Sequence, residues 1–191
     1  MSWYHRISFR SYLLVGVGLF IVFALILFWM GRVPICECGY VKLWHGVILS
    51  SENSQHISDW YTFSHFIHGF IFYFILWLVG RRWPMGSRLL LAILFEASWE
   101  IFENTDLIIN RYRENTVSLG YYGDSIINSV MDLLAAVIGF VMAARLPVWV
   151  IVALTIGMEA FVGYWIRDNL LLNIIMLIYP LEFIRSWQGG G

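Results

Sequence analysis

The sequence predicts an all-α fold, a polytopic transmembrane helix bundle of five to six spans with its N-terminus in the cytoplasm. Three observations predict it. Of the 191 residues 60% are apolar and only 13% charged, against roughly 25% charged in soluble domains. Apolar runs of about the 20 residues that cross a bilayer recur along the chain. Trp3, Trp29, Trp60, Trp83, Trp149, Trp165 and Trp187 fall near the ends of those runs, as aromatic belts do at membrane interfaces.

The first run, Tyr12–Met30, follows His5, Arg6 and Arg10 as a signal peptide's apolar region would. It is nevertheless as long as a full span, and neither a small-x-small cleavage pattern nor a lipoprotein-type box precedes Cys36. It is therefore expected to remain as an anchor. An outer loop, Gly31–Trp60, carries the only two cysteines, Cys36 and Cys38. A bridge between residues two apart is geometrically strained and is not the default expectation. The alternatives are thiols that bridge two chains, or a soft-metal site with His45, His56 and Asp59.

The second span is Tyr61–Val79, and the short loop Gly80–Arg88 with three arginines marks the cytoplasmic side. The same rule assigns Arg145 and Arg185 to the cytoplasm and Arg32, Lys42, Arg111, Arg113 and Arg167 to the outside. The third span is Leu89–Leu107. A second outer segment, Ile108–Asp124, follows, in which Arg111 and Arg113 are read as interface anchors rather than as an anion site. Span four, Ser125–Ala144, would be capped by Asp124 or Ser125, and span five is Val148–Trp165. Arg167-Asp168 is expected as a surface pair or a cap. The last run, Leu170–Ile184, is short and contains Pro180, so it is either a kinked span or an interfacial helix. Residues 1–188 form one domain, and Gly189–Gly191 is a native or added flexible tail.

Twelve basic against thirteen acidic residues leave no basic field, so nucleic-acid partners are excluded. The chain contains no Walker loop, nucleophile elbow, His-Glu-x-x-His or dinucleotide fingerprint. The bilayer is the expected partner, and a homo-oligomer is left open.

Function is expected where charge enters the spans. Glu96, Glu100 and Glu103 share one helical face within the third run, and a charged side chain at membrane depth costs roughly 2.5 to 3.5 kcal/mol on insertion scales. At about 1.5 Å per residue, His65 and His68, Glu100 and Glu103, Asp132 and Glu159 reach similar depths below the outer surface, with Asp124 at the mouth and Glu96 deeper. Four helices thus bring ionisable groups into one layer, which reads as a cavity opening to the periplasm. Imidazole and carboxylate make an N/O set suited to zinc, iron or manganese. The expected metal ligands are His65, His68, Glu100, Glu103 and Asp124, with Asn104, Ser125, Asn128, Ser129, Asp132 and Glu159 in support.

The runs 59-DWYTFSHFIHG-69, 96-EASWEIFEN-104 and 120-GYYGDSIINS-129 resemble an uncharacterised alphaproteobacterial family of multi-pass inner-membrane proteins, UPF0314 or domain of unknown function 2585. The likeness covers nearly the whole chain and implies a location in the inner membrane, without an activity. A looser similarity to VanZ-like membrane proteins carries no residue roles.

The leading expectation is a metal that activates water against a lipid or lipid-linked substrate, with Glu96, Glu100 and Asp124 as the catalytic carboxylates. The alternatives are a proton- or cation-coupled carrier using Glu96, Glu100, Asp132 and Glu159 as a relay, and an assembly protein whose polar layer only locks helix packing.

Overall fold

The computed structural model describes residues 7–116 and 120–189, which form eight helices and no strand. Trp3, His5, Arg6 and the last two glycines lie outside the described residues. The helices are α1 (Phe9–Trp29), α2 (Thr62–Val79), α3 (Met85–Glu103), α4 (Asp106–Asn115), α5 (Ile126–Arg145), α6 (Val148–Ile166), α7 (Leu170–Ile178) and α8 (Glu182–Gln188). Four of them, α1, α2, α5 and α6, are long and apolar enough to cross a membrane. α3 has the length but not the hydropathy, because it carries Arg88, Glu96, Glu100 and Glu103; of these Glu96 and Glu100 are buried in the bundle.

The helices alternate in direction. Tyr12 at the start of α1 meets Ser87 at the start of α3, hydroxyl to hydroxyl at 3.1 Å, while the chain just after α1 accepts the Ile126 amide of α5 at 2.8 Å on Val33. Trp165 at the end of α6 stacks with Trp60 before α2. α1, α3 and α6 therefore run one way and α2 and α5 the other.

α2 and α5 form the central pair. Their backbones touch at Gly69 and Gly139: a Cβ on Gly69 would lie 2.1 Å from the Ala136 carbonyl, and one on Gly139 2.2 Å from that of Phe66. Small residues permit such approach between membrane helices, where packing rather than water expulsion drives association. The rest of the interior is apolar, with Phe23, Leu27, Ile93 and Leu133 in one cluster and Leu76, Ala92 and Phe140 in another.

Three expectations are corrected. The outer segment Ile108–Asp124 is not all loop: α3 ends at Glu103, and α4 starts at Asp106. The last run, left open between a kinked span and an interfacial helix, is two short helices. α7 stops before Pro180 and α8 turns back, so that the Gln188 amide reaches Asp168 at 3.1 Å and Arg185 donates to the Glu114 carbonyl on α4. Arg185 thus lies at the same end as α4 rather than opposite it. Finally, Cys36 and Cys38 form a disulfide within the chain.

The loop 31–60 folds over the N-terminal ends of α2 and α5. Ser125 donates its amide to the Ser54 carbonyl at 3.0 Å and its hydroxyl to that of Gln55 at 3.1 Å, and the Asn128 side chain donates to His56 at 2.9 Å. Within this loop Glu52 accepts from Lys42, Tyr40 and His56. These hydrogen bonds hold its carboxyl at about 2, well below the usual range. The Lys42 amide occupies His56 Nδ1, so Nε2 carries the ring proton toward Glu52. Asp59, expected beside the cysteines, instead accepts the Ser54 and Tyr61 amides at 3.2 and 2.8 Å.

Candidate functional site

Ser125, the N-cap of α5, accepts the Asn128 amide at 3.3 Å. The capping alternative for Asp124 therefore falls away, and its carboxylate is free for the interior. Gly123 makes that turn possible: its φ is +100°, and a Cβ there would sit 2.2 Å from the Arg32 guanidinium and 3.0 Å from the Asn104 carboxamide. Asn104, at the end of α3, then pins Asp124 twice, accepting its amide at 2.7 Å and donating to Oδ2 at 3.1 Å. The Tyr121 hydroxyl donates to Oδ1 at 3.0 Å.

The imidazoles of α2 meet the carboxylates of α3 as expected. His65 Nδ1 lies 2.6 Å from Glu96 Oε1, and His68 Nδ1 lies 3.1 Å from both Glu96 oxygens. A carboxylate only accepts, so both Nδ1 atoms carry protons, and a neutral ring would keep its Nε2 lone pair for a ligand. This is how carboxylates orient imidazoles toward metals. Glu96 is fully buried and occupied by both rings. Expected as a general base, it instead stands behind the histidines.

Beyond His65 the acids converge. His65, Glu100 and Asp132 offer ligand atoms all within 4.8 Å of one another, and so do Glu100, Glu103 and Asp124. Donors hold each acid from outside: Thr62 reaches Asp132 at 3.0 Å, and the Tyr112 hydroxyl reaches Glu103 at 2.7 Å. Glu100 is the exception. It is 1% exposed, yet neither carboxylate oxygen has a hydrogen-bond partner. His65 Nδ1 is 3.3 Å from Oε1, but its proton is directed at Glu96. Leaving buried polar atoms unmade costs roughly 1 to 3 kcal/mol, and more for charged groups.

Beside Glu100 lies a chamber of about 30 Å³ lined by His65, Glu103, Asp124, Asp132, Tyr112 and Asn173, with Asn53 and Ser54 of the loop 31–60 on one side. The loop 31–60 thus forms part of the wall on the side where an opening was expected. The chamber instead shares Tyr61, His65, Glu103, Tyr112 and Asn173 with a lateral cleft of about 720 Å³ between α2, α3, α4 and α7. Phe72, Phe95, Trp99, Phe102 and Ile174 make that cleft apolar, and His68 looks into it.

Some expected members stand elsewhere. Glu159 accepts the Leu170 and Leu171 amides at 3.1 Å and caps α7, which breaks the proposed relay. Asn128 and Ser125 tie α5 to the outer loop, while Ser129 lies 3.4 Å from the Asn104 amide. Arg111 donates to the Leu177 and Ile178 carbonyls at the end of α7, and Arg113 to that of Tyr121. Arg167 and Asp168 are not a surface pair. Asp168 is buried and accepts from Tyr61, Asn169 and Gln188. Burial raises its carboxyl to about 6.

Sequence reasoning missed Tyr61, Thr62, Tyr112, Tyr121 and Asn173. Only Asn173 carried a signal, as the one polar residue in the apolar stretch Leu170–Ile178.

Fold and site together define a helical membrane protein built around a buried imidazole and carboxylate cluster. The chain belongs to the family described as "Protein of unknown function (DUF2585)", whose family model matches residues 27–190. It is 61% identical to a UPF0314 protein of Paracoccus denitrificans (strain Pd 1222), covering 87% of this chain and 86% of that one. It is 55% identical to a UPF0314 protein of Novosphingobium aromaticivorans, covering 92% and 90%. With the UPF0314 protein Atu8092 of Agrobacterium fabrum it shares 52% identity over 92% and 89%. No solved structure matches the chain.

Proposed function

We propose that this protein is a metal-dependent hydrolase of the bacterial inner membrane, acting on a lipid or lipid-linked substrate that enters sideways through the lateral cleft. Its N-terminus faces the cytoplasm, so the chamber lies toward the periplasm. The observation that carries the reading is Glu100: two buried carboxylate oxygens without donors, aimed among His65, Glu103, Asp124 and Asp132. A divalent cation (zinc, iron or manganese) satisfies those oxygens and offsets the mutual repulsion of the acids.

When bound, the metal lowers the pKa of its water and polarises the scissile bond. The chain's own groups do the rest. His65 Nε2, Glu100, Glu103, Asp124 and Asp132 hold the ion, and Glu96 fixes the His65 ring. His68, whose ring is also fixed by Glu96 and which borders the cleft, accepts the water proton on Nε2 and returns it to the leaving group. The apolar cleft walls hold the lipid portion and keep bulk water from the reacting end.

The test is metal content of purified protein by mass spectrometry, comparing wild type with His65→Ala and Glu100→Ala. Near-stoichiometric metal in wild type and its loss in both variants is expected. Wild-type metal well below one per chain in a metal-replete preparation overturns the proposal.

A further inference from the structure

We infer that the acid cluster beside the chamber holds not one but two divalent cations, bridged by the Glu100 carboxylate, and that this pair receives a phosphate group carried on a lipid. The inference rests on the metal reading above and deepens it.

Glu100 is the shared member of two ligand sets, His65/Glu100/Asp132 and Glu100/Glu103/Asp124, each with its atoms within 4.8 Å. A carboxylate that bound a single ion through one oxygen would leave its second oxygen to a protein donor. Both Glu100 oxygens lack one at 1% exposure, whereas Glu103, Asp124 and Asp132 each have a hydroxyl or amide donor from the opposite side. The geometry matches a carboxylate shared between the two sets.

Charge decides between one ion and two. Glu96, Glu100, Glu103, Asp124 and Asp132 crowd around two imidazoles, and Glu96 alone is balanced by hydrogen bonds from both rings. One divalent ion leaves the other four acids with a net charge near −2 in a water-poor interior; two bring it near zero.

The same accounting identifies the substrate group. No Arg or Lys lines the chamber among the described residues, and the nearby Arg32, Arg111 and Arg113 donate to backbone carbonyls. An anion can be met there only by metal charge, and cations about 3.5 to 4 Å apart suit displacement at phosphorus by stabilising attacking and leaving oxygens together. In that reaction a water-derived hydroxide forms a new P–O bond as the P–O bond to the lipid oxygen breaks. The water's other proton passes through His68 to that oxygen, giving inorganic phosphate and a lipid alcohol without any oxidant or reductant.

The experiment is Mn²⁺ titration of the chelator-stripped full chain in detergent, read by electron paramagnetic resonance. Two ions per chain with an exchange-coupled signal are expected in wild type. Glu100→Gln should abolish the coupling, Asp132→Asn should retain one uncoupled ion, and inorganic phosphate should alter the coupled signal. One isolated ion in wild type overturns the pair but leaves the metal reading standing, and no bound ion overturns both. A coupled pair indifferent to phosphate overturns the phosphoester assignment.

Discussion

Asp168 shows what burial does to a single residue here. Its carboxyl is raised to about 6 because burial penalises the charge more than the donors from Tyr61, Asn169 and Asn173 favour it. The folded state therefore holds a proton that the unfolded chain, near its usual 3.8, gives up. Stability from this site is fully present below about pH 4 and falls as pH rises to about 6, by at most about 1.4 kcal/mol per unit. Thermal unfolding in detergent should show this decline in wild type, and Asp168→Asn should flatten it. An unchanged slope in the variant would place the titration elsewhere. At this scale the chemistry of the site was largely legible, since each of His65, His68, Glu96, Glu100 and Glu103 was conspicuous by its cost at membrane depth. Which role each took was not. Glu96 and Glu100 sit one helical turn apart with identical side chains, and only their neighbours make one an orienting group and the other a set of free oxygens.

At the scale of elements, two helix contacts decide whether the site assembles. The Gly69/Gly139 approach sets α2 against α5 and so places His65 and Thr62 beside Asp132. Gly69→Val would force the backbones apart, since the clash is with carbonyl and amide atoms rather than a movable side chain. A loss of about 3 kcal/mol is expected by thermal unfolding, with metal content falling alongside. The second contact is the Glu159 cap on α7. Glu159→Gln should weaken α7 by about 1 kcal/mol, seen as faster amide exchange at Leu170 and Leu171, with metal content unchanged. Metal loss in that variant would return Glu159 to the chamber. The long helices were visible from hydropathy because about 20 apolar residues have few other uses. α4 was hidden because it is short and held by tertiary partners: Arg111 binds the end of α7, and Tyr112 hydrogen-bonds Glu103 and Asn173.

For the whole molecule, the decisive feature is that the polar chamber adjoins an apolar cleft at the side of the bundle, with Asn53 and Ser54 of the loop 31–60 on its other wall. A substrate reaching this site from within the bilayer need not pass through water. Ile174→Trp narrows the cleft without touching a chamber ligand. It should raise KM for long-chain lipid substrates several-fold while leaving metal content and short-chain turnover intact. Equal losses for short and long chains would show that substrate does not use this route.

The sequence alone determined that the chain is helical and membrane-embedded, and that imidazoles and acids from separate helices share one depth, because helical rise and hydrophobic cost are local properties. It also supplied the family through three contiguous runs. Only the tertiary structure decided which way the cavity opens, that the last segment turns back, that Glu159 leaves the cluster and that Glu100 lacks donors. Those facts depend on contacts between residues far apart in the chain, and a helix's pitch carries no record of which neighbour its polar face will meet.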